Sequence, residues 1–224
     1  MRPLEFIEGY TLYRGDHSDS KGGPGKGAEL YIRNSLNHSA APTIDKLKFD
    51  CSAWNIIKLN ANRSLLVGVV YRSPSSTEEN NGNLLSLLRA AAAANCQFVN
   101  ICGYFNLPHI DWSIINRPVL TAVWKLKMSI HRPLISLIEE LSFSQHVNTD
   151  TRFRGTQKSC LDLVLTNKEG MVTEVRELPP IGKSDHISQQ WNLSVGELLF
   201  RNTAVVRHNV ARQLEGPQSR FTRF

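Results

Sequence analysis

The stretch at residues 64–71, SLLVGVVY, constrains this chain most. After its first residue it is continuously apolar and rich in β-branched side chains, so it is expected to form a strand buried on both faces. A second run, QFVNIC at 97–102, predicts another buried strand. Between them LLSLLRAAAAA at 84–94 carries strong helix formers, which predicts a helix packed by its leucine face.

The flanking stretches add more strands. WNIIKL at 54–59 is separated from SLLVGVVY by the turn-like NANR, the pattern of a hairpin. GYTLYR and AELYIR, on either side of the polar DHSDSKGGPGKG, read as strand, mobile loop, strand. GGPGKG lacks the GK[ST] ending of a phosphate-cradling loop and leads into a strand, so a flexible connection is expected there rather than a nucleotide site. PLISLIEEL at 133–141 starts with proline and continues in helical period. LDLVLT at 161–166 and MVTEVR at 171–176 flank NKEG, whose length and glycine predict a hairpin turn.

Among 224 residues, 41% are hydrophobic, enough to bury a core. The 26 Lys and Arg against 20 Asp and Glu leave a net charge of +6, a mild excess that favours a polyanionic partner. No apolar run reaches membrane-spanning length, and MRPLEFIEGY lacks the apolar stretch of a secretory signal. The expectation is an intracellular protein of nucleus or cytoplasm, neither membrane-bound nor secreted. Four cysteines without a CxxC pair suggest neither a zinc site nor a disulfide framework. Beyond the domain, expected over 1–198, the segment 199–224 carries Arg201, Arg207, Arg212, Arg220 and Arg223 against Glu215 alone, the composition of a disordered basic tail.

Four segments stand in a fixed order: VVYRSPSS at 69–76, ICGYFNLPHIDW at 101–112, SCLDLVLTN at 159–167 and GKSDH at 182–186. Each is weak alone; together they form a strong signature. They resemble the endonuclease/exonuclease/phosphatase family, and within it most the endonuclease domain of non-LTR (LINE-type) retrotransposons, whose loops read YRPPS, GDFNLPxIDW, LDLVLT and SDH. The likeness runs over roughly residues 9–192. It implies an α+β fold, a two-sheet β-sandwich flanked by helices (α-β-β-α, DNase-I-like), with all four motifs at one end.

The resemblance also implies roles. His186 would sit against the phosphate as general base or electrostatic stabiliser, and Asp162 would hydrogen-bond it and set its tautomer. Asp185 would lie on the metal side of the site, where hard oxygen ligands suit Mg2+ or Mn2+. Tyr71 would contact the scissile phosphate, and Asn106 the phosphate or the attacking water.

Two departures weaken the catalytic reading. Where the family has the aspartate of GDFN this chain has Tyr104, a phenol with a pKa of about 10 that cannot replace a carboxylate at neutral pH. Loss of such a group implies a rate defect on the order of 10³-fold or more. Family members also carry an early strand with an asparagine and another with a metal-binding glutamate, and the eight residues before Gly9 hold neither. The expected sandwich therefore lacks its first strands and shows a fissure or an unpaired edge.

The resulting expectation is a divalent-metal-dependent phosphodiesterase, a retrotransposon-derived DNA endonuclease domain that is weak or inactive. The alternative is a non-catalytic remnant that binds nucleic acid. A phosphatase acting on small molecules is a third reading, less favoured because NLPHIDW resembles the retroelement domains.

Overall fold

The computed structural model describes residues 7–16, 27–47, 49, 51–60, 62–113, 118–121, 130–195 and 198–204. Strand β1 (Tyr10–Asp16) pairs antiparallel with β2 (Gly27–Arg33), the expected strand, loop, strand; the loop at 17–26 lies outside the described residues. After β3 (His38–Ala40) and the single-turn helix α1 (Pro42–Asp45), strands β4 (Ser52–Asn60) and β5 (Arg63–Tyr71) form the hairpin expected across NANR. Helix α2 (Glu78–Ala92) leads into β6 (Phe98–Tyr104), which runs parallel to β5 as such a crossover allows. There follow β7 (Ile110–Asp111), β8 (Val119–Leu120), helix α3 (His131–Glu140), β9 (Ser144–Gln145), the hairpin of β10 (Arg152–Arg154) and β11 (Gln157–Ser159), and then β12 (Asp162–Thr166), β13 (Val172–Leu178), β14 (Ser188–Val195) and β15 (Leu198–Ala204).

Six strands make the central sheet, in the order β3-β4-β5-β6-β12-β9. The alternation of side chains along β5 explains its unbroken apolar run. Leu66 and Val70 enter a core with Leu84, Leu87 and Leu88 of α2 and Leu134 and Leu137 of α3. Leu65 and Val67 enter a second core with Ile32 of β2 and Trp191 and Leu193 of β14. Helices thus cover one face of the sheet and a second β layer covers the other. At Gly68 the packing leaves no room for a side chain: a Cβ there would lie 2.2 Å from a ring carbon of Trp54.

The second β layer consists of two sheets, the β1-β2 hairpin and β13-β14-β15, with no pairing between them among the described residues. Among the described residues β1 pairs only with β2, and β15 only with β14, so both keep an unpaired edge.

Three local readings are corrected. NKEG is not a hairpin turn: β12 belongs to the central sheet and β13 to the second layer, so the segment carries the chain across the sandwich. A 3-10 turn at Glu169–Met171 makes the crossing, with Met171 buried between the layers. The segment assigned to the tail from 199 includes most of β15, which pairs with β14 along its length; the remainder, 205–224, lies outside the described residues. Helix α2 begins at Glu78 rather than near Leu84, because the Thr77 hydroxyl accepts the backbone N–H of Asn80 and two glutamates occupy the first turn. No helix among the described residues is long and apolar enough to cross a membrane.

Candidate functional site

Three neighbouring strands of the central sheet bring candidate residues to one edge of the sandwich. Tyr71 ends β5, Tyr104 ends β6, and Asp162 begins β12. The register pairs Tyr104 with Tyr71 on one side and with Asp162 on the other, so the three form a row. Gly103 makes the approach possible. Its φ is +135°, and a Cβ there would lie 2.0 Å from the Val70 carbonyl oxygen of the neighbouring strand.

His186 joins the row from the loop before β14. Its Nδ1 lies 2.7 Å from Oδ2 of Asp162, and both side chains are buried, at 2% and 1% exposure. The carboxylate accepts from Nδ1, which fixes the orientation of the imidazole ring. The other oxygen of Asp162, Oδ1, is buried with no hydrogen-bond partner among the described residues. Thr151 fixes the start of β12: its hydroxyl oxygen accepts the backbone N–H groups of Leu161 and Asp162 at 3.0 and 3.1 Å. The His186 loop is held to β10 by Phe153 N–H donating to the Asp185 carbonyl and Ile187 N–H donating to the Thr151 carbonyl.

Tyr104 sits at the centre of this group. Its ring stacks on Tyr71, with centroids 5.6 Å apart and planes 25° apart, and presses against His186 edge to face at 5.1 Å. Burial pushes its phenol up to about 12; the charge of Arg152 opposes this, while Asp162, Tyr71 and Asp185 add to it. At neutral pH the phenol is therefore protonated. Burial, with a contribution from Cys51, also raises the Tyr71 phenol.

The remaining candidates stand around the row. Asn106 lies two residues past β6 in a left-handed conformation, φ 52°, and is half-buried. Asp185 accepts the Nε–H of Arg152 at 2.9 Å. Burial works to raise the Asp185 carboxyl, but the hydrogen bond and charge of Arg152, with the charge of His186, outweigh it and hold the group below the usual carboxylate range.

The divalent ion implied by the resemblance would need several hard oxygen ligands at one point. Asp162 is engaged by His186, Asp185 by Arg152, and Tyr104 presents a protonated phenol. Among the described residues no three His, Cys, Asp or Glu side chains come together as ligands. The described residues do not fit such an ion.

All the site residues read from the sequence except Asn106 and Asp185 are thus in direct contact, and those two flank the group. Arg152 and Thr151 were not singled out. Arg152 acts on a residue 33 positions away in sequence and Thr151 on residues 10 and 11 away, so no local pattern announces either.

Comparison with known proteins shows the family and the fold. A family profile described as "Endonuclease-reverse transcriptase" matches residues 65–189, more than half of the chain. The solved endonuclease domain of TRAS1, a telomere-specific non-LTR retrotransposon, superposes with a TM-score of 0.57 at 12% identity, covering 84% of this chain and 79% of that one. An endonuclease/exonuclease/phosphatase family protein from Leptotrichia buccalis C-1013-b matches with a TM-score of 0.47 at 15% identity, covering 83% and 72%. No curated protein matches the chain.

Proposed function

Because the chain belongs to the endonuclease-reverse transcriptase family, we propose that it is a DNA-binding domain that holds a phosphodiester at the Tyr71–Tyr104–His186 row without cutting it efficiently. The observation that carries this reading is the position of Tyr104. Its protonated ring fills the space between Tyr71 and His186, where the resemblance puts a carboxylate. Hydrolysis needs a water that is aligned and deprotonated, and a neutral phenol does neither. Binding needs only donors and positive charge, which Tyr71, Asn106 and Arg152 supply around the row.

Fluorescence anisotropy on a short DNA duplex, in chelator and then in Mn2+, tests the proposal. The affinity is expected to agree within about twofold in the two conditions, and Asn106→Ala is expected to weaken it about fivefold, the worth of one hydrogen bond. Failure to bind, or binding that appears only with the metal, defeats the proposal.

One observation favours a second reading, a slow metal-dependent phosphodiesterase: the 2.7 Å bond between His186 and Asp162 is intact. On that reading His186→Ala abolishes residual nicking.

A further inference from the structure

Arg72 immediately follows β5 and is 7% exposed. Its Nε donates to Oδ1 of Asn81 at 2.8 Å, and its Nη1 to the carbonyl oxygens of Asn106 at 3.1 Å and Phe105 at 3.5 Å. These acceptors are all neutral, and no carboxylate among the described residues pairs with the guanidinium. Burying a charge without a counter-charge is costly, and burial lowers the pKa of this group, with Tyr104 opposing. A guanidinium carries five N–H donors. Among the described residues no acceptor faces Nη2, and the residue as a whole keeps 7% exposure.

Glu78 and Glu79 stand on the first turn of the helix that carries Asn81, and among the described residues neither pairs with Arg72. His131, the first residue of α3, and His109, in the loop after β6, lie in tilted contact with ring centroids 5.7 Å apart, and the charge of Arg72 reaches His131. Asn106, whose carbonyl Arg72 holds, belongs to the phosphate-binding edge proposed above. A purely structural role is the plain alternative: the side chain ties the first turn of α2 to the Asn106 loop. Such a strut requires donors but no charge, and a neutral side chain would avoid the desolvation.

We propose that Arg72 binds a second backbone phosphate of DNA, next to the one at Tyr71 and Asn106, with Nη2 donating to its oxygen and the His109–His131 pair walling the subsite. The inference rests on the phosphate-binding reading above. It supplies the missing counter-charge, since the buried guanidinium is neutralised when the duplex docks.

The salt dependence of duplex affinity tests it. Each phosphate neutralised on duplex DNA contributes about 0.9 to the slope of log K against log salt concentration. Arg72→Gln keeps a donor for the Asn106 carbonyl but removes the charge, and should lower the slope by about 0.9; Arg72→Lys keeps the charge and should preserve it. Weakened binding with an unchanged slope in Arg72→Gln reduces Arg72 to a strut and overturns the inference. If Arg72→Gln does not fold, the side-chain 15N resonances of the native chain decide: a shift of the Arg72 signals on adding duplex supports the contact, and signals that stay in place overturn it. A native chain that binds no DNA overturns the phosphate reading itself, a result distinct from the other two.

Discussion

Tyr104 is enclosed between the face of Tyr71 and the edge of His186, and burial raises its phenol to about 12 against about 10 in an unfolded chain. The folded state therefore holds this proton more tightly than the unfolded state. Its contribution to stability is complete below about pH 10 and is lost as pH rises towards 12, amounting to about 2–3 kcal/mol at most. Burial raises Cys102 and Cys160 as well, but they contribute equally in a Tyr104→Phe variant. Urea unfolding of the two proteins across that range should show the shallower alkaline loss in Tyr104→Phe, and parallel curves would contradict the assignment. At this scale the motifs named Tyr71, Tyr104, Asn106, Asp162, Asp185 and His186, which the structure brings to one end of the central sheet. They could not show that Arg152 engages Asp185, or that Tyr104 touches both Tyr71 and His186, because both facts depend on loops brought together from distant parts of the chain.

The elements that carry these residues were legible where pattern and burial coincide. SLLVGVVY and QFVNIC are apolar because helices press on one face and a β layer on the other, and they form β5 and β6. Segment ends were harder to place. STEENNGN, just before the leucine-rich run, holds the Thr77 cap and the two glutamates that start α2, but its glycine and asparagines are poor helix formers and hide that start. Thr77→Ala should cost about 1 kcal/mol in chemical denaturation. NKEG has hairpin length, but whether two strands pair or part to different sheets is decided by tertiary packing, here by Met171 entering the core between the layers. β4 and β5 meet closely where Trp54 lies across Gly68. Gly68→Ala forces a methyl into that ring and should destabilise the fold by about 1–3 kcal/mol, measurable as a lower urea midpoint; an unchanged midpoint would mean that the indole can move aside.

For the molecule as a whole, the central six-stranded sheet is continuous and the second layer is not. Among the described residues β1 pairs only with β2, and β15 only with β14. Hydrogen exchange should therefore be faster along β1 and β15 than along β5 and β6, which pair on both sides; uniform protection would show that the edges are covered. Tyr71, Tyr104 and Asp162 are built on the continuous sheet, while His186 reaches them from the loop before β14 of the second layer and is tied to Asp162 by the 2.7 Å bond. On the function proposed above, hydrolysis is limited by the side chain at position 104 and by the lack, among the described residues, of a ligand set for a divalent ion. Plasmid nicking in Mg2+ or Mn2+ by the native chain and by Tyr104→Asp puts this to the test. The expected result is duplex binding by the native chain with no nicking above a protein-free control, and metal-dependent nicking that a His186→Ala substitution abolishes would contradict it, whatever Tyr104→Asp restores.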